Sequence, residues 1–193
     1  GQIWTDDPNQ RLNLPYDVPA NEFLNLEGRK ISGSRNWAVW AQDVAERYGA
    51  DPVRFYLTVA MPESKDTDWN WNDFVRTNND VLVANWGNLA NRMLSFVYKR
   101  FDGRVPDPGQ LRPQDEALLE TVAAGFESVG NLLNAVKLRA ALQEALRIAT
   151  EVNRYLDQQA PWSEIKTDPD AAAKTVYTSL RAIDSLKTLF APF

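Results

Sequence analysis

Residues 73–100 read DFVRTNNDVLVANWGNLANRMLSFVYKR. Phe74, Val81, Leu82, Leu89, Met93, Phe96 and Val97 fall at separations that put them on one stripe of a helix. The spacing predicts a long helix capped by Asp73 and running to about Arg100. Phe101-Asp102-Gly103 ends it, and Val105-Pro106-Asp107-Pro108-Gly109 reads as a linker. Three more helical patterns follow. Pro113 opens one that runs to Val129 through Leu118, Leu119, Val122 and Phe126. Gly130 separates it from a second, Leu132 to Leu156, dense in Ala140, Leu142, Ala145, Leu146 and Ala149. Ala160-Pro161-Trp162 breaks the chain before a third, from Pro169 to Phe190 through Ala172, Val176, Leu180, Ile183 and Leu186. Amphipathic helices joined by short connections specify an antiparallel bundle.

Upstream the pattern changes. Gly1 to Leu14 shows no periodicity and reads as irregular. Phe23 to Leu26 reads as a short strand ending in a tight turn at Glu27-Gly28. Asp43 to Tyr48 is a short helix with Gly49 at its C-cap, and Asp51-Pro52 opens another that Met61-Pro62 ends. Asp66 to Trp71 alternates polar and aromatic residues as a strand does. The expected fold is therefore mainly α: a helical bundle over residues 73–193, preceded by a small α/β segment within residues 1–72. The Gln2-Ile3-Trp4 start in mid-pattern is expected of a piece of something longer.

Composition excludes several kinds of chemistry. The 193 residues contain no cysteine and no histidine. Disulfides, thiolate metal sites and serine–histidine or cysteine–histidine catalysis are thereby ruled out within this chain. No metal site is expected. No apolar run approaches membrane-spanning length, so a cytoplasmic protein with no membrane partner is the expectation. The net charge of −5 is uneven: residues 1–72 sum to −4, 73–110 to +1 and 111–193 to −2. Contacts with nucleic acid should therefore be local rather than made by a broad basic patch, and no DNA partner is expected.

The 73–100 helix carries more than a core stripe. Asn85, Asn88, Arg92, Ser95 and Lys99 follow one another at intervals of three or four residues, on one face beside the apolar one. An Asn amide can read two base-edge atoms, and Arg offers a rigid fork of donors. Such a strip suits splayed-out single-stranded bases, although polar residues on a helix are also commonly just solvated. Trp162, presented by Pro161, is either a stacking platform for a base or a plug at the end of the bundle.

One further stretch carries chemistry. Residues 30–36 read Lys-Ile-Ser-Gly-Ser-Arg-Asn and follow Glu27-Gly28-Arg29. They are too polar for a core strand and too glycine-rich for a stable helix. They suit a mobile loop whose backbone N–H groups, hydroxyls and cations close on phosphate.

This loop resembles the Lys-Met-Ser-Lys-Ser signature of class I aminoacyl-tRNA synthetases. With its flanks, Leu14-Pro15-Tyr16-Asp17-Val18-Pro19 before and Asn36-Trp37-Ala38-Val39-Trp40 after, it resembles that of the methionyl-tRNA synthetases. Tyr48-Gly49-Ala50-Asp51 and Arg54-Phe55-Tyr56 resemble a further stretch of the same family. Trp86-Gly87-Asn88-Leu89-Ala90-Asn91-Arg92 is similar to its anticodon-reading helix, and Asn153-Arg154-Tyr155 with Ala160-Pro161-Trp162 to the segment whose Trp stacks on the first anticodon base. The likeness extends from about Leu14 to the C-terminus, with the motifs in family order.

The resemblance implies that residues 1–72 hold the end of a catalytic region, with the signature loop and a stem-contact segment, and that residues 73–193 are an anticodon-binding bundle. It implies that Lys30, Ser32 and Ser34 belong to the site for ATP phosphates, and that Asn88, Arg92, Trp162 and Asn153 belong to the anticodon site. The whole enzyme would be a methionine–tRNA ligase, charging tRNA(Met) through a methionyl-adenylate with ATP and Mg2+. The implied partners of this piece are the tRNA(Met) anticodon stem-loop and an N-terminal catalytic domain.

Two departures from the family pattern matter. Gly33 stands where the motif has its second lysine, leaving Arg29, Lys30 and Arg35 as the nearby cations. The His-containing signature and the Rossmann unit are not in this sequence, so the chain alone is expected to bind no cofactor and to be inactive. Two alternatives remain from the residues themselves: the same part of a leucyl-, isoleucyl-, valyl- or cysteinyl-tRNA synthetase, or a helical interaction module with no enzymatic role.

Overall fold

A computed structural model describes residue 15 and residues 17–193. The irregular stretch expected over residues 1–14 lies outside the described residues, as does Tyr16 in the flank of the loop.

The small N-terminal unit is built on a three-stranded sheet of order β2-β1-β3. Strand β1 (Leu24–Leu26) pairs antiparallel with β2 (Arg29–Lys30) and parallel with β3 (Thr67–Trp69). The Glu27-Gly28 turn makes the hairpin. Both residues have positive φ, 47° and 72°, as a two-residue turn between twisted strands requires, and glycine takes that conformation without strain. Asp68 on β3 accepts a hydrogen bond from the Gly28 N–H at 2.8 Å, and Glu27 accepts from the Trp71 N–H at 2.9 Å and the Asn70 amide at 3.0 Å. The strand expected over residues 66–71 is thus shorter, because Asn70 leaves it to cap a helix.

Helices α1 (Ala41–Tyr48) and α2 (Ala50–Val59) close over the sheet. Leu26, Val44, Val53, Tyr56, Trp69 and Phe74 form a small core there, in which Tyr56 meets Trp69 edge-on with centroids 5.0 Å apart. Phe55, the neighbour of Tyr56, points the other way and is buried in the core of the bundle. Helix α2 is therefore shared by both cores.

The long helix begins one turn earlier than the sequence suggests. Asn70, not Asp73, is its N-cap: the Asn70 side chain accepts a hydrogen bond from the Asp73 N–H at 3.1 Å. The helix comprises α3 (Trp71–Thr77), a π-helical stretch (Asn78–Gly87) and α4 (Asn88–Arg100). Asp102 and Gly103, both at positive φ, turn the chain out of it.

Helices α5 (Pro113–Asn134), α6 (Leu138–Gln159) and α8 (Pro169–Phe190) pack against one another, with α4 against α8. The expected break at Gly130 is absent. Helix α5 runs through Gly130 to Asn134, and the chain turns instead at Val136, whose φ is +55°. A single glycine costs a helix about 1 kcal/mol, which burial of Val129 on the same turn offsets. Glycine matters more at Gly125, where a Cβ would sit 2.4 Å from Ile148 Cδ1 and 3.2 Å from Leu189 Cδ1. The missing side chain sets how closely α5 approaches α6 and α8. The fold is the one expected, a helical bundle preceded by a small α/β segment.

Candidate nucleic-acid interface and signature loop

Helix α7 (Pro161–Glu164) is a single turn between α6 and α8. Its entry is sharp: Ala160 sits in the left-handed region at φ 41°. Pro161 at the first helical position has no N–H to leave unpaired, and its ring is buried. Pro161 thus anchors the turn while Trp162 is left 38% exposed. The indole is partly open to solvent, with the rest of its surface covered.

Arg92 of α4 reaches the same place. Its guanidinium carbon lies 4.8 Å from the centroid of the Trp162 ring, and its Nη2 donates to Asp157 Oδ1 at 2.8 Å. Arg92 and Trp162, 70 positions apart in sequence, are thus brought together by the packing of the bundle. Asn88 lies one turn before Arg92 and is exposed. Exposed Asn and Arg donors beside a partly open indole form a surface on which a flat, polar-edged ring can stack while its edge is hydrogen-bonded.

The polar strip expected along this helix is divided. In the π-helical stretch the Asn88 N–H bonds to the Val83 carbonyl, five residues back, so the chain winds more slowly than in an α-helix. This turns Asn85 toward α6. Its Oδ1 accepts from the Asn153 amide at 2.8 Å, its backbone carbonyl accepts from the same nitrogen at 3.1 Å, and its own amide donates to Thr150 Oγ1 at 3.2 Å. Asn153 also donates to the Ala149 carbonyl at 3.1 Å. The Asn153 nitrogen is therefore engaged within the protein, in a clasp between α6 and the π-helical stretch. Ser95 is bonded to Asn91 at 3.3 Å, and Lys99 is exposed.

Beneath this surface lies a network of which the sequence carries only one local sign. Asp115, in the first turn of α5, is fully buried. It is held by the Arg112 guanidinium, with Nε to Oδ2 at 2.9 Å and Nη2 to Oδ1 at 2.9 Å, by the Arg112 N–H at 2.8 Å, and by the Tyr155 hydroxyl at 2.5 Å. Arg112 also donates to Thr175 Oγ1 at 2.8 Å and approaches Glu164 Oε1 at 3.5 Å. Burial pulls the Asp115 carboxyl upward, but the bonds from Arg112 and Tyr155 outweigh it and hold its pKa below the usual range. Burial first, and then the Asp115 carboxylate, push the Tyr155 phenol well above its ordinary value. The Arg112-x-x-Asp115 spacing at a helix start was the one legible signal of this network.

The signature loop sits at the edge of the small sheet. Lys30, at the end of β2, is exposed, with its ammonium 5.2 Å from the centroid of Phe23. Arg29 lies over Trp37 at 5.0 Å. Ser32 and Trp37 close the loop by backbone bonds of 2.8 and 2.9 Å, and Gly33–Arg35 forms a 3₁₀ turn inside it. The Ser32 and Ser34 hydroxyls are 3.2 Å apart. Cations and hydroxyls on one exposed loop, with no carboxylate between Arg29 and Ala38, fit a polyphosphate. Among the described residues no cluster of three or more Asp, Glu, His or Cys is arranged to hold a metal ion. No helix among them is long and apolar enough to cross a membrane.

Comparison with known proteins adds an independent line. Residues 4–94 match the family of class I tRNA synthetases of the methionine type, and residues 105–193 match the anticodon binding domain of methionyl tRNA ligase. The methionine–tRNA ligase of Thermomicrobium roseum is 55% identical over 184 residues, covering 95% of this chain and 32% of that protein. The enzyme of Thermococcus kodakarensis is 40% identical over 193 residues, covering 100% of this chain and 26% of that protein. Among solved structures, the apo form of Mycobacterium tuberculosis methionyl-tRNA synthetase superposes with a TM-score of 0.82 at 30% identity, over 94% of this chain and 36% of that one. The same enzyme in complex with methionyl-adenylate gives 0.82 at 32% identity, over 90% and 35%. The chain thus spans about a third of the length of the curated relatives it matches.

Proposed function

The chain belongs to the methionyl-tRNA synthetase family of class I, and from that premise we propose that it is the part of a methionine–tRNA ligase that reads the tRNA anticodon and carries the signature loop. The observation that carries this reading is the meeting of Arg92 with Trp162 at 4.8 Å, beside exposed Asn88. Trp162 stacks on a splayed-out anticodon base, and Asn88 and Arg92 hydrogen-bond base edges. Asn153 serves the same site by holding the π-helical stretch through Asn85. The two family matches support methionine over the leucine, isoleucine, valine and cysteine relatives, and over a module with no role in aminoacylation.

In the whole ligase, Lys30, Ser32 and Ser34 hold phosphate oxygens of ATP, and Arg29 and Arg35 add positive charge around them. ATP is a substrate: the methionine carboxylate bonds to its α-phosphorus as pyrophosphate leaves, and the methionyl group then passes to a tRNA hydroxyl as AMP leaves. The proposed partners are the anticodon stem-loop of tRNA(Met) and the N-terminal catalytic domain, and the proposed location is the cytoplasm. The chain alone lacks the rest of the ATP site and does not aminoacylate.

The test is a titration of the chain with a methionine anticodon stem-loop. Saturable binding that weakens in Arg92→Ala supports the reading. Binding that is indifferent to both Arg92→Ala and Trp162→Ala removes it. Turnover by the chain alone with ATP, methionine and tRNA would contradict the inactivity.

A further inference from the structure

Trp162 is 38% exposed, with the Arg92 guanidinium over its ring. Besides buried Pro161, the turn carrying it is held by Glu164, two residues on. Glu164 Oε2 lies 3.3 Å from the Thr175 hydroxyl of α8, whose single proton is shared with the Ala171 carbonyl at 3.2 Å, and Oε1 lies 3.5 Å from Arg112 Nη1 at the start of α5. Its backbone is engaged at both ends, its N–H donating to the Ala160 carbonyl at 3.1 Å and its carbonyl accepting from the Asp168 N–H at 2.8 Å. Thr175 is fully buried and is itself bonded to Arg112, and Arg112 is locked by buried Asp115 and Tyr155. Helices α5 and α8 thus both meet this one carboxylate of α7. A turn that starts from a left-handed alanine and has only four residues needs such an anchor to hold one orientation.

We infer that Glu164, held by Thr175 and Arg112, is a positioning residue for Trp162, and that it sets the affinity and base selectivity of the anticodon site without touching RNA. This rests on the anticodon reading given above. Glu164 holds the turn, the turn holds the indole, and the indole stays beneath Arg92. Removing the carboxylate lets α7 sample other orientations, so part of the population no longer presents the platform.

A mutant cycle tests it in the chain, with the methionine stem-loop and a copy altered at the first anticodon base, well below the melting temperature of every variant. Arg112 keeps its bonds to Asp115 when Glu164 is removed, so Glu164→Ala is expected to leave the bundle folded. It weakens methionine stem-loop binding by roughly 3- to 30-fold and narrows the preference over the altered loop. Glu164→Gln keeps an acceptor for Thr175 and restores much of the loss. In a Trp162→Ala background, Glu164→Ala has no further effect, because the group it positions is gone. If Trp162→Ala weakens binding and Glu164→Ala does not, the positioning role is overturned and the anticodon reading stands. The same holds if the two losses simply add. If Trp162→Ala leaves binding unchanged, the anticodon reading fails and this inference fails with it.

Discussion

The Arg92 guanidinium lies over the Trp162 indole at 4.8 Å while its Nη2 bonds Asp157 at 2.8 Å. The cation–π contact contributes about 0.5–1 kcal/mol at an exposed site, and the open ion pair about 0–1 kcal/mol. Neither is strong enough to lock Arg92 against a ligand. Both are strong enough to keep it near the indole. Replacing Trp162 by Ala is expected to cost about 1–3 kcal/mol of stem-loop binding, and replacing it by Phe less, since a smaller π face remains. Titration at fixed salt reads this directly. Melting temperatures should move less than binding does, because Trp162 is 38% exposed and is not among the residues of the bundle core.

Asn153→Ala should act on stability directly. It removes one amide nitrogen that bonds the Asn85 carbonyl, the Asn85 side chain and the Ala149 carbonyl. Half-buried acceptors are left unpaired, at an expected cost of about 1–3 kcal/mol in unfolding free energy. Denaturant melts should show the midpoint falling with little change in slope.

Gly125→Ala places a methyl group 2.4 Å from Ile148 Cδ1. Overpacking of this kind costs about 1–3 kcal/mol. Ile148→Val removes the offending carbon, so the double variant should be more stable than the sum of the single changes implies. Simple additivity in thermal melts would mean that the close approach of α5 to α6 is not what limits this position.

Stability should fall at both ends of the pH scale through the Asp115–Tyr155 pair. The Asp115 pKa is lower in the folded state than in the unfolded chain, so its contribution is present above about pH 4 and is lost as pH falls through the folded value. Tyr155 is raised instead. Its contribution is present below about pH 10 and is lost as pH rises through the folded value. Melts from pH 2 to 12 should show the alkaline loss reduced in Tyr155→Phe and the acid loss reduced in Asp115→Asn, although both variants start from lower stability.

Gly33→Lys should leave stability within about 0.5 kcal/mol of the parent. A Cβ there meets no atom within 4 Å, and the backbone is outside the left-handed region. The loop can therefore take the lysine of the family motif, and a melt that drops by more than this would show a contact the open loop does not suggest. Lys30→Ala, by contrast, should slow the ATP-dependent step of the whole ligase by about two to three orders of magnitude with no change in melting.

The helices were legible because their apolar residues recur with a helical period, and the hairpin because Glu27-Gly28 suits a two-residue turn. Gly130 misled, since a glycine inside a well-packed helix costs less than the packing returns. Asp73 misled because Asn70, three residues earlier, is an equally good cap. The strip from Asn85 to Lys99 holds on an ideal α-helix, and the π-helical stretch rotates Asn85 out of it. The Arg112–Asp115–Tyr155–Thr175 network joins three helices across as many as 63 positions, and no local period encodes such a meeting. Family likeness points to Asn88, Arg92 and Trp162 together; the reach of Arg92 from α4 to Asp157 and Trp162 gives Arg92 and Trp162 a physical reason to act as one.

The most direct test of that joint action is binding of this chain to the methionine anticodon stem-loop and to a copy with its first anticodon base changed. The account predicts preference for the methionine loop, reduced by Arg92→Ala and by Trp162→Ala, with the double variant losing less than the two single losses combined. Equal binding of the two loops, unaffected by either substitution, would contradict it.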